Sequence, residues 1–138
     1  MIWNNILLGS LLATITILIH SFATRFIVYL VYRKNLKHRE RRYSKEFWTA
    51  IIVLILLMTS ISEAGIWALS YMLIHAIPVF EHAFYFSIVT FTTLGYGDII
   101  LSENWRLLAS FEAAIGIIIF GWSTAIVMAV VQKLFFKK

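Results

Sequence analysis

The sequence predicts an all-α membrane protein with three transmembrane helices and a short re-entrant helix between the second and third. Three observations predict it. The chain is 61% hydrophobic with a mean hydropathy of +0.85, whereas a soluble domain is roughly half apolar. The apolar residues gather into runs longer than about 18 residues, the length that suggests a membrane span. Basic residues concentrate between the first two runs and again at the C-terminus, as the positive-inside rule requires of cytoplasmic segments.

The first unit, 1–33, is an N-terminal transmembrane helix whose apolar run goes from about Ile6 to Tyr32. His20 and Arg25 interrupt it. At a rise of about 1.5 Å per residue, Arg25 lies roughly 33 Å along the helix from Trp3, close to the far membrane face, where it can snorkel. A single Arg does not make a voltage sensor, which needs several at three-residue spacing. No basic region precedes the run and no small-residue cleavage site follows it, so it is expected to be retained rather than removed as a signal peptide.

Segment 34–46 is a basic loop. Arg33, Lys34, Lys37, Arg39, Arg41, Arg42 and Lys45 supply most of the net charge of +5, opposed only by Glu40 and Glu46. Such a run in a soluble protein points to nucleic acid. Here its place between two spans explains it by orientation, and no nucleic-acid partner is expected. The same charges suit contact with anionic lipid head groups.

The third unit, 47–138, holds the remaining elements. A helix is expected over 47–77, with Trp48 as an interface anchor and Glu63 near its centre. Pro78 blocks continuation. A helix over 81–92 is too short to span but dense in apolar residues, which suits a re-entrant element buried at membrane depth. Glu81 in its first turn complements the helix dipole. A last helix over 105–136 ends among Lys133, Lys137 and Lys138. Counting crossings puts the N-terminus outside, with the basic loop and the C-terminus both cytoplasmic. Glu81, Asp98 and Glu103 then fall on the outer side.

Thr90 to Asp98 read Thr-Phe-Thr-Thr-Leu-Gly-Tyr-Gly-Asp. The carbonyls of Thr93, Leu94, Gly95 and Tyr96, with the Thr93 hydroxyl, can point one way along an extended run. Gly95 and Gly97 supply the left-handed residues that alternation of backbone hand needs. Four such runs around an axis would present oxygen rings able to replace the hydration shell of a bare monovalent cation.

The segment resembles the signature of potassium channels, Thr-Val-Gly-Tyr-Gly, with Leu94 in place of Val. The order helix, short helix, signature, helix is similar to the pore module of the pore-loop cation channels, here carrying one extra N-terminal helix. The resemblance covers about Phe47 to Lys133. It implies an outer helix at 47–77, a pore helix at 81–92, a selectivity filter at 93–97 and an inner helix at 105–136, assembled as a fourfold tetramer. It implies a potassium-selective channel subunit, with K+ as the permeant ion bound at Thr93, Leu94, Gly95 and Tyr96. One filter per chain implies a homotetramer.

Further roles follow from the resemblance. Tyr85, Phe86, Thr90, Thr92 and Asp98 are expected to support the filter, Tyr85 by hydrogen bonding to Asp98. Tyr96 is expected to pack outward against the pore helices. Val89 stands where some members carry a Glu. Gly116 matches the inner-helix hinge glycine, and Ile117, Phe120, Gly121 and Thr124 are candidates for the cavity lining; helix packing of the small-xxx-small kind is the other reading of both Gly116 and Gly121.

Glu63 and Glu112 are acids inside helices, and intramembrane acids are functional suspects. They stand as candidate proton-sensing or gating residues, with interhelical hydrogen bonding to Ser, Thr or Trp as the competing reading. His82, beside the outer mouth, is a candidate for external proton or metal sensitivity. The chain has no cysteine, so disulfide and thiolate chemistry are excluded. No nucleophile–base pair, metal triad or phosphate loop stands out, so neither an enzyme nor a cofactor is expected. A weakly selective cation channel and a non-conducting regulatory subunit remain the alternatives; Gly95, Tyr96 and Gly97 together weigh against the latter.

Overall fold

The computed structural model describes residues 2–32 and 44–136. Residues 34–43 of the basic segment, on which most of the expected lipid contact falls, lie outside the described residues, as do Arg33, Lys137 and Lys138. Among the described residues all regular structure is helical: α1 (Ile2–Tyr32), α2 (Lys45–Leu73), α3 (Phe80–Phe91) and α4 (Arg106–Val131), the last continued by a π-helical turn at Gln132–Phe136. Three of these stretches, Ile2–Val31, Lys45–Leu73 and Arg106–Phe136, are long and apolar enough to cross a membrane. The 12 residues of α3 extend only about 18 Å, short of the roughly 30 Å hydrocarbon core.

α2 starts at Ser44, whose Oγ accepts a hydrogen bond from the Phe47 amide at 3.3 Å. Glu46 in its first turn meets the positive end of the helix dipole. The helix stops at Leu73, four residues before the expected end at 77. His75 takes a left-handed conformation, φ 54°, its amide donates to the Met72 carbonyl at 3.0 Å, and the Ala76 amide donates to the Tyr71 carbonyl at 2.9 Å. This is a Schellman cap with histidine in the place glycine usually fills. Pro78 lies beyond the cap and does not itself end the helix.

The last helix also departs from the expected unbroken run over 105–136. It widens into a π turn after Val131. The wider turn keeps Leu134 buried while Lys133 Nζ donates to the Val31 carbonyl of α1 at 3.1 Å.

α1 buries a stripe at three- and four-residue spacing: Asn5, Leu12, Thr16, His20, Ile27 and Val31. Its opposite face presents Leu7, Leu11, Leu18 and Phe22. The buried face is thus the more polar one, the reverse of a helix in water and suited to lipid outside. α1 packs against both α2 and α4. Asn5 Nδ2 donates to the Asn104 carbonyl at 2.8 Å, Trp67 Nε1 donates to Thr16 Oγ1 at 3.1 Å, and the Phe111 ring lies where a Cβ on Gly9 would stand, 2.8 Å away. The polar residues of the stripe need partners, and both neighbours supply them.

Two buried clusters result. One gathers Leu12, Trp67, Tyr71, Phe86, Phe91, Leu108 and Ile115 around α3. The other joins Ile27, Val31, Trp48, Ile52, Ile126 and Val130 near the opposite ends of the long helices.

Candidate functional site

The first cluster fixes α3 and therefore the segment that leaves its C-terminus. Thr92 caps the helix, its amide donating to the Ile88 carbonyl at 3.0 Å and its hydroxyl to the same oxygen at 2.7 Å. The Thr93 amide donates to the Thr90 carbonyl at 2.9 Å. The Val89 carbonyl then accepts from two amides, Leu94 at 2.9 Å and Gly95 at 3.2 Å. The orphan carbonyls of the last turn thereby hold the outgoing chain.

Along that chain the backbone hand alternates. Thr93, Gly95 and Gly97 have φ of 60°, 56° and 78°, while Leu94 and Tyr96 stay out of the positive region. Alternation of left- and right-handed residues turns successive carbonyls to one side, where an ordinary strand would send them to opposite sides. The two glycines enter the left-handed region without penalty. Thr93 does not; a β-branched residue there costs about 1–2 kcal/mol. Sequence reasoning anticipated the glycines and missed the threonine. Its only signal was its place two residues before Gly95, in phase with the alternation.

Around the segment, Tyr85 Oη donates to Asp98 Oδ2 at 2.7 Å. That hydrogen bond holds the Tyr85 phenol above its ordinary value. Phe86 is buried edge-on against Tyr71, with ring centroids 5.2 Å apart. Thr90 is half-buried. Within one chain Leu94 and Tyr96 are 54% and 68% exposed. His82 and Glu81 are exposed in the first turn of α3, and Glu103 pairs with Arg106 at 2.6 Å on the surface.

The two glycines of α4 stand in different surroundings. A Cβ on Gly116 would fall on the carbonyl of Phe91, the last residue of α3. Close approach of two backbones therefore already demands glycine there. Nothing in the chain lies within 4 Å of a Cβ on Gly121, so the packing reading has no partner for it within one subunit. Ile117, Phe120, Gly121 and Thr124 share an exposed face of α4. Phe120 meets Phe91 edge-on at 6.1 Å, beside an apolar groove of ≈ 540 Å³ bounded by Leu57 on α2 and Thr124 on α4.

The two intramembrane acids sit in separate networks. Glu63 is wholly buried with Oε1 3.1 Å from His20 Nδ1, and Ser123 Oγ lies 3.3 Å from His20 Nε2. Glu112 is wholly buried between Tyr71, whose Oη is 2.7 Å from Oε2, and Ser87, whose Oγ contacts Oε1. Ser87, Tyr71 and Ser123 were not singled out from sequence; Ser87 sits four residues before Phe91, on the side of α3 that faces α4.

The family described as Ion channel matches residues 54–133, more than half of the chain, from α2 through the π turn. No curated protein and no solved structure matches.

Proposed function

The chain belongs to the ion channel family, and on that footing we propose that four copies form a potassium-selective pore conducting K+ passively across the membrane. It is an ion channel subunit and a multi-pass membrane protein; ion and assembly are the reading added here. The observation that carries it is the alternating backbone of Thr93–Gly97 at the C-terminal end of α3. Set around a fourfold axis, four such segments offer rings of carbonyl oxygens from Thr93, Leu94, Gly95 and Tyr96, with the Thr93 hydroxyl closing the inner end. The partly negative C-terminus of α3 favours a cation at the same place.

The exposure of Leu94 and Tyr96 supports neighbouring copies. A backbone this constrained is held only where its surroundings over-determine it, and further contacts from neighbouring copies would supply that. Ile117, Phe120, Gly121 and Thr124 would line the cavity behind the filter, with Gly116 at a close approach of α4 to the Phe91 carbonyl of α3. The basic segment and C-terminus would face the cytoplasm and the N-terminus the outside, leaving Glu81, Asp98 and Glu103 to concentrate cations at the outer mouth. The test is K+ uptake into liposomes holding purified protein whose tetramers are verified by cross-linking. Uptake blocked by barium, a divalent ion of similar size held near Thr93, is expected; tetramers that pass no K+ would contradict the reading.

A further inference from the structure

Glu112 stands where three helices meet, and the hydrogens there can be counted. Ser87 Oγ is 2.6 Å from the Ala64 carbonyl of α2 and also contacts Glu112 Oε1 on α4. A serine hydroxyl has one hydrogen to give. A backbone carbonyl only accepts, whereas a carboxyl can donate when protonated, so both contacts are hydrogen bonds together only if the hydroxyl donates to Ala64 and Oε1 carries a proton and donates to Ser87. Tyr71 Oη, 2.7 Å from Oε2, then donates to the remaining oxygen. The result is one consistent relay: Tyr71 donates to Glu112, Glu112 to Ser87, and Ser87 to Ala64. Every polar atom of the relay is satisfied and no charge is buried.

Geometry gives the relay a consequence. Ser87 and Phe91 are one turn apart on α3; Glu112 and Gly116 are one turn apart on α4. Glu112 meets Ser87, and Gly116 meets the Phe91 carbonyl. These two rungs fix the register of α3 against α4. Two residues beyond Ser87, the Val89 carbonyl holds the amides of Leu94 and Gly95, so any slide of α3 is handed to the oxygen-bearing segment.

We propose that Glu112 is a positioning residue for the Thr93–Gly97 segment, acting through Ser87 as a neutral carboxylic acid that locks the short helix between the outer and inner helices. The functional part rests on the potassium-channel reading above. The chemistry picks out the right replacement. Glutamine has one donor and one acceptor end, so Glu112→Gln can donate its amide hydrogen to Ser87 and accept from Tyr71. Leucine fills the space and does neither.

The experiment compares wild type, Glu112→Gln, Glu112→Leu, Ser87→Ala and Tyr71→Phe as purified tetramers in liposomes, scored for K+ over Na+ permeability. Glu112→Gln should stay close to wild type. Glu112→Leu should lose about tenfold in discrimination, the equivalent of one buried hydrogen-bonded partner. Ser87→Ala and Tyr71→Phe, each removing one link, should fall between, and they carry the test if Glu112→Leu does not assemble. A merely structural role would lower the yield of tetramer without changing selectivity in those that form. Infrared difference spectra of wild type minus Glu112→Gln at neutral pH supply a readout independent of conduction. The carbonyl stretch of a protonated carboxylic acid should be present in wild type and absent from the variant. Unchanged selectivity in Glu112→Leu, a Gln variant as impaired as the Leu variant, or a carboxylate band in place of the acid band would overturn the proposal. Wild-type tetramers without any K+ flux would sink the channel reading instead, and the infrared band would still decide the state of Glu112.

Discussion

His20 Nδ1 lies 3.1 Å from Glu63 Oε1, and neither side chain reaches the surface. The contact ties α1, which lies outside the matched channel region, to α2 inside it. Glu63 Oε2 has no hydrogen-bond partner among the described residues, so His20 is the group that makes this buried acid tolerable.

His20→Leu should therefore destabilise the protein by about 1–3 kcal/mol, the cost of leaving a buried polar group unpaired. The double variant His20→Leu/Glu63→Leu should recover much of that loss, because removing both partners leaves nothing unsatisfied. Thermal unfolding in detergent of the two single variants and the double variant measures the coupling. Strictly additive losses would show that the two residues do not support one another.

Gly116→Ala should prevent the close approach of α4 to α3. The Phe91 carbonyl that a methyl group would strike belongs to backbone, and it moves only by carrying Thr92 and Thr93 with it. Gly121→Ala, with open space around it in the subunit, should fold normally and gain up to about 1 kcal/mol of helix propensity. The yield of assembled protein on size-exclusion chromatography separates the two: a large loss for the first and none for the second. Equal yields would contradict the packing assignment of Gly116.

Gly95→Ala and Gly97→Ala should each impair selectivity or conduction, since both positions hold positive φ and a Cβ there costs about 1–2 kcal/mol. Leu94→Val should be tolerated, because Leu94 lies outside the positive-φ region and its side chain is not required to point at the ion. Ion flux from the three variants is the measurement. Normal selectivity in either alanine variant would remove the oxygen-lining role from the segment.

A Cys placed at Asn4 should react with an impermeant reagent added outside intact cells, and one at Lys138 should react only after permeabilisation. The parent has no cysteine, so each label reports a single site. The opposite pattern would reverse the orientation inferred from the basic residues.

Much of the architecture was written in hydropathy. The three long apolar runs became α1, α2 and α4, because apolar length is a local property that needs no partner to be recognised. The end of α2 was not legible. Histidine at position 75 gives no hint of a left-handed cap, and Pro78 nearby offered a plausible but later stop. The placement of α1 was obscured for a related reason: a helix apolar on every side in lipid does not announce its buried face by hydropathy. Its few polar residues, Asn5, Thr16 and His20, mark that face, and they signify only once partners on two other helices are known. The same holds for the site. Gly95 and Gly97 advertised their backbone conformation, whereas Thr93 did not. Glu112 was conspicuous as an acid in a membrane helix, yet Ser87 and Tyr71, which contact its carboxyl group, are ordinary residues until the fold brings them together.

The most direct test of the central claim is the reversal potential of purified, reconstituted wild-type protein with K+ on one side of the membrane and Na+ on the other. With the two ions at equal concentration, the account predicts a potential far from zero, by about 59 mV for each factor of ten by which K+ permeability exceeds Na+ permeability. A reversal potential near zero under those conditions would show a pore that passes Na+ as readily as K+, and would contradict it.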